Sequence, residues 1–134
     1  MSARKPGFVL AASLALLALP RIVHADAFAG TWQAKLTPDE ASAAAGAKTF
    51  DDALIFEQNQ LLTEGFAFLG FNPGAYVIPE GQTTRFTASL DSNVKGTLAW
   101  SGSVSGGTIS GTLTWTKADG TVWRYTYAGT KRAE

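Results

Sequence analysis

KGTLAWSGSVSGGTISGTLTWTKADGTVWRYTYAG, residues 95–129, decides the fold, because its apolar residues can be paired strand against strand with almost no freedom of register. In the first strand Leu98, Trp100 and Val104 are interleaved with Lys95, Thr97, Ser101 and Ser103, the period of two of a half-buried strand. In the second, Ile109, Leu113 and Trp115 stand against Thr108, Ser110, Thr112, Thr114 and Thr116. A two-residue turn at Gly106-Gly107, whose central residues need positive φ, sets Val104 against Ile109, Gly102 against Gly111, Trp100 against Leu113 and Leu98 against Trp115. Every inward residue then meets an inward residue.

The next connection has to be a three-residue loop, Ala118-Asp119-Gly120 with Gly120 left-handed, since only this opposes Trp115 to Trp123 and Leu113 to Tyr125. A two-residue Asp-Gly turn would set Trp115 against Arg124. The same register lays Tyr127 across Gly111, and an aromatic over a strand glycine covers backbone where a sheet curves sharply. Curvature predicts closure. The expected fold is all-β: a small antiparallel up-and-down barrel of about seven or eight strands, with one short helix after the first strand.

Outward from the meander, Phe28, Trp32, Ala34 and Leu36 alternate with Thr31, Gln33 and Lys35 to give a first strand. Thr37-Pro38-Asp39-Glu40 then reads as a capping box with Thr37 as N-cap, and Ala41 to Ala45 as a short helix ending at Gly46. A second strand is expected from Phe50 to Glu57, with Leu54 and Phe56 inward, and a tight turn near Gln58-Asn59 returns the chain through Leu61 and Leu62. From Gly65 to Glu80 the pattern breaks: apolar residues are mixed with glycines and prolines, and only Ala75 to Ile78 suits a short strand. Phe86, Ala88 and Leu90 resume the alternation before the meander begins. GTLAW at Gly96 and GTLTW at Gly111 echo one another as adjacent barrel strands would, which falls short of a solenoid repeat.

The N-terminus reads as a secretory signal over residues 1–25: Arg4 and Lys5, an apolar run from Phe8 to Leu19, then Pro20 and small residues that permit cleavage after Ala25 or Ala27. The run is too short for the ~20 residues of a membrane span. The protein is therefore expected to be exported, periplasmic or secreted, with residues 26–134 as a single barrel domain. Arg4, Lys5 and Arg21 fall within the signal and all the acids lie at Asp26 or beyond, so the remainder holds eight bases against eleven acids, a formal charge of −3. Such a balance gives no electrostatic footprint for nucleic acid or for an anionic membrane. A monomer is expected, without membrane insertion.

The chain has no cysteine, and its single histidine, His24, lies in or beside the signal. A mature chain with neither cannot build a Ser-His-Asp or Cys-His triad, a thiol redox pair or the usual zinc sites. No catalytic residue, metal ligand or cofactor is assigned. Asp51-Asp52, with Glu57 and Glu64 near in sequence, is the nearest approach to an acid/base pair. Adjacent strand residues point to opposite faces, so at most one of Asp51 and Asp52 could enter a cleft, and both are expected to be solvated strand-start acids.

Gly30-Thr31-Trp32 at the start of the first strand, ahead of an antiparallel meander, resembles the G-x-W opening of lipocalins and avidins among calycin-like barrels. That resemblance implies that Trp32 closes one barrel end and that a basic residue near the last strand, Lys131 or Arg132, lies over it. The chain is shorter than most lipocalins, lacks their usual disulfide and shows no biotin-site pattern, so no ligand residues carry over. A second likeness covers most of the mature chain: GTW, TPDEASAAAGAKTFDD, GFNPGAY, WSGSVSGGTISGT and KADG before YTYAG are similar to a group of small exported bacterial proteins of unknown function. It implies a shared fold and export route and supplies no activity.

The function expected is that of a non-enzymatic exported barrel binding a small apolar or amphipathic ligand, with the Phe66 to Ile78 segment at its mouth. The competing expectation is an envelope interaction module with a filled barrel, using the same segment against a protein or polymer. Phe71, Tyr76, Phe68 and Trp32 are the candidate contact residues, because apolar side chains on a Gly- and Pro-broken segment either plug the barrel or form an exposed patch.

Overall fold

The structure is a computed structural model that describes residues 27–133; the expected signal segment, His24 and the cleavage site before Asp26 lie outside them. Eight strands follow one another in sequence order around a closed antiparallel barrel: β1 (Gly30–Pro38), β2 (Phe50–Glu57), β3 (Gln60–Thr63), β4 (Gly74–Val77), β5 (Arg85–Ser92), β6 (Gly96–Ser105), β7 (Thr108–Thr116) and β8 (Val122–Lys131). β1 closes it, pairing with β2 through Trp32 opposite Leu54 and with β8 through Leu36 opposite Tyr127. Among the described residues, closure leaves no edge strand to pair with another chain.

The meander has the expected register throughout. Val104 faces Ile109, Gly102 faces Gly111, Trp100 faces Leu113 and Leu98 faces Trp115, across a turn in which Gly106 and Gly107 take φ of 54° and 86°. Trp115 faces Trp123, Leu113 faces Tyr125 and Gly111 faces Tyr127. Gly120 is left-handed at φ 92°, and the Lys117 N–H closes the three-residue loop on the Thr121 carbonyl at 2.8 Å. Tyr127 crosses the paired glycines and donates its hydroxyl to the Ser101 carbonyl at 2.8 Å. Burial pushes the Tyr127 phenol up, so it remains a donor at all ordinary pH.

β2 and β3 are joined by the expected turn at Gln58-Asn59, with Glu57 opposite Gln60 and Leu54 opposite Thr63. Both turn residues are left-handed, φ 53° and 64°, as a two-residue hairpin demands.

Helix α1 (Glu40–Ala44) follows β1, but its cap differs from the expected one. Thr37 and Pro38 stay in β1, Pro38 opposite Tyr125, and the Asp39 N–H still bonds the Arg124 carbonyl at 2.9 Å. Pairing with β8 therefore holds the chain extended two residues past Thr37, and Asp39 becomes the N-cap, its Oδ1 accepting the Ser42 N–H at 2.8 Å. The Ser42 hydroxyl, and then this N–H bond, hold the Asp39 carboxyl below its ordinary pKa. Ser42 in turn accepts the Arg124 N–H on its hydroxyl at 2.8 Å, fastening α1 to β8. Asp39→Ala should lower the melting temperature by about 5 °C, the typical loss for an N-cap in a domain of this size. Thr37→Ala should leave it unchanged, and equal losses at the two positions would contradict this assignment.

Trp32, Phe56, Phe86, Trp100, Leu113 and Tyr127, one from each of six strands, are buried, and side chains like these fill the interior. Small barrels are commonly packed in this way.

Candidate functional site

The sequence that broke strand alternation folds as a second helix, α2 (Glu64–Phe68), which was not anticipated. Two side chains hold its first turn. The Thr63 hydroxyl accepts the Phe66 N–H at 3.2 Å, and Asp52 Oδ1 accepts the Gly65 N–H at 2.8 Å and the Ala53 N–H at 2.9 Å. A helix turns 3.6 residues per revolution, so side chains two apart point to nearly opposite sides. Phe66 and Phe68 are divided accordingly.

Phe66 enters the barrel end, its ring edge-on to Phe50, Phe71, Trp100 and Trp115 at centroid distances of 5.8, 5.6, 6.2 and 5.4 Å. Such contacts stabilise beyond the area they bury. After α2 the chain doubles back: the Leu69 and Phe71 N–H groups bond the Phe66 carbonyl, each at 3.0 Å, and the Asn72 N–H bonds the Asp91 carbonyl of β5 at 2.9 Å. This returns Phe71 to the core at 3% exposure. Phe68 is left 91% exposed, with Leu69 at 39% beside it and Val94 of the β5–β6 hairpin at 71%.

The four residues singled out from sequence are thus separated. Phe71 packs against Phe66 and Trp115, and Tyr76 against Phe28 and Phe56. Trp32 is buried at the other barrel end, where its indole N–H bonds the Phe28 carbonyl at 2.9 Å. Lys131, rather than Arg132, lies over the Trp32 ring, Nζ 5.6 Å from its centroid. Phe68 alone of the four faces solvent.

Trp115 and Trp123, half-buried, stack edge-on at 5.9 Å near the α2 end, and Lys117 Nζ covers both rings, 4.8 and 3.1 Å from their centroids. Trp115 donates its indole N–H to the Lys95 carbonyl at 2.8 Å.

Asp52 corrects one expectation. Asp51 is exposed as a strand-start acid should be, but Asp52 shares the inward face of β2 with Phe50, Leu54 and Phe56 and is only 4% exposed. Alternation from Leu54 and Phe56 points Asp52 inward, against the usual preference of a carboxylate for water. Burial raises the Asp52 pKa above its ordinary value, against the pull of hydrogen bonds from Gly65, Thr63 and Ala53. Oδ2 has no hydrogen-bond partner among the described residues.

A carboxyl whose pKa is raised on folding contributes stability at low pH, and that contribution is lost as pH climbs past the ordinary carboxylate range and through the folded pKa. Asp52→Asn keeps the acceptor for Gly65 and cannot ionise. Its urea midpoint relative to wild type should therefore rise with pH from about 4 to 7. A difference that stays flat with pH would show that Asp52 is not strained by its burial.

Among the described residues no three His, Cys, Asp or Glu side chains gather as a metal site. No protein-family model matches the chain, and no curated protein matches it.

Proposed function

We propose that this protein is an exported, non-enzymatic interaction module whose filled barrel presents the α2 end, Phe68 foremost, to an envelope protein or polymer. The observation that carries the reading is the division of α2. Phe66 is locked among four aromatic rings, so the helix cannot turn to bury Phe68 without emptying the core. A phenylalanine 91% exposed on a rigid support, followed in the chain by part-exposed Leu69, is the pattern of a contact surface. Packing of the interior favours this over a ligand held inside the barrel.

Kinship with calycin-like barrels is part of the proposal. It is supported by the closed eight-strand barrel and by Lys131 over Trp32. It assigns no ligand.

A photoreactive phenylalanine analogue placed at position 68 and irradiated in the host should give a discrete adduct, and the same analogue at position 66 should give none. Phe68→Ser should abolish co-purification of that partner while the melting curve stays within about 0.5 kcal/mol of wild type. Absence of any adduct at 68 would contradict the proposal.

A further inference from the structure

We infer that the barrel end opposite α2 carries a site for a small amphipathic anion, an aryl or alkyl carboxylate, sulfonate or phosphate ester, held by Arg85 and Lys131 against Ala27 and Val104. This does not depend on the contact role of Phe68. A depression of about 760 Å³ opens there, lined by Trp32, Arg85, Ser103, Val104, Ser105 and Lys131 among others. That volume lies within the roughly 300–1,000 Å³ usual for small-molecule sites.

Charge selects the ligand. Among the described residues, Arg85 and Lys131 are the ionisable members of the lining, and no acid joins them. Neither makes an ion pair among the described residues; the Lys131 ammonium rests on the Trp32 ring. In a chain whose residues 26–134 hold more acids than bases, two cations that have no carboxylate partner among the described residues line one depression. Half-buried Ala27 and Val104, both in the lining, offer an apolar wall to the ligand's tail. A neutral apolar molecule would leave the cations unused, and a small inorganic anion would leave the apolar wall unused.

The walls are held in place. The Val104 N–H bonds the Thr84 carbonyl at 2.9 Å on the Arg85 side, and the Lys131 N–H bonds the Gly107 carbonyl at 3.1 Å on the other. Trp32 is fixed by its bond to Phe28. Fixed walls lower the ordering cost of binding. The two cations are exposed, so each contributes the modest, salt-sensitive amount of a surface ion pair.

Anilinonaphthalene sulfonate and phenylnaphthylamine, the same fluorophore with and without its sulfonate, separate the contributions. The sulfonate should saturate at one molecule per native chain and weaken with added salt, and phenylnaphthylamine should bind at least about tenfold more weakly. Arg85→Gln and Lys131→Gln should each weaken sulfonate binding about fivefold with melting curves unchanged. Phe68→Ser should leave it untouched. Equal binding of the two fluorophores, indifference to both Gln substitutions, or loss of binding in Phe68→Ser would each overturn the assignment.

Discussion

Gly111→Val should cost the barrel about 3 kcal/mol or more, read as a lowered urea midpoint at unchanged slope. The β-carbon alone would collide with the Ser101 carbonyl oxygen of the facing strand and come within 2.8 Å of the Tyr127 hydroxyl. Backbone cannot rotate out of the way as a side-chain tip can. The substitution would also evict Tyr127 from its bond to Ser101, leaving a buried phenol and carbonyl unpaired. Tyr127→Phe, which keeps the ring over the notch and removes only the hydrogen bond, should cost about 1 kcal/mol. An unchanged midpoint for Gly111→Val would mean that β7 and β8 are not paired as described.

Phe66→Ala should cost about 3–5 kcal/mol, as truncation of a buried phenylalanine does elsewhere. Its ring touches four other aromatics at the barrel end, so the void would be lined by Phe50, Phe71, Trp100 and Trp115, drawn from four different segments. Segments tied into a closed ladder collapse poorly onto a hole. Phe68→Ala, two residues further along the same helix, should change stability by less than about 0.5 kcal/mol. Comparable losses at the two positions would place Phe68 in the core and remove the contact surface.

The meander was legible in sequence because three constraints coincide there: strict alternation, two turns whose glycines fix loop length, and a tyrosine whose place over Gly111 rules out a one-residue slip. Where only one constraint acts, sequence said less. Thr37 and Asp39 are both good N-caps, and the choice between them is made by β8, whose pairing with Pro38 lies far away in sequence. The five-residue helix α2 is too short for a periodic signal, and its glycine and the prolines that follow hid it. Which aromatic of that segment plugs and which protrudes depends on helix phase, so Phe66, Phe68 and Phe71 could not be told apart beforehand. At Asp52 two signals conflict: alternation points it inward and the general preference of carboxylates for water points it outward, and the strand pattern prevails.

This barrel is filled by its own side chains, and the proposed binding takes place on its outside. Titration of the native protein with a neutral apolar fluorophore such as phenylnaphthylamine, followed through tryptophan emission, tests it directly, because Trp100 lies buried at 1% exposure inside. A filled barrel predicts weak, unsaturating binding and an unshifted indole spectrum. Saturation at one molecule per chain with shifted tryptophan emission would show an interior that opens to a ligand, and would contradict the account.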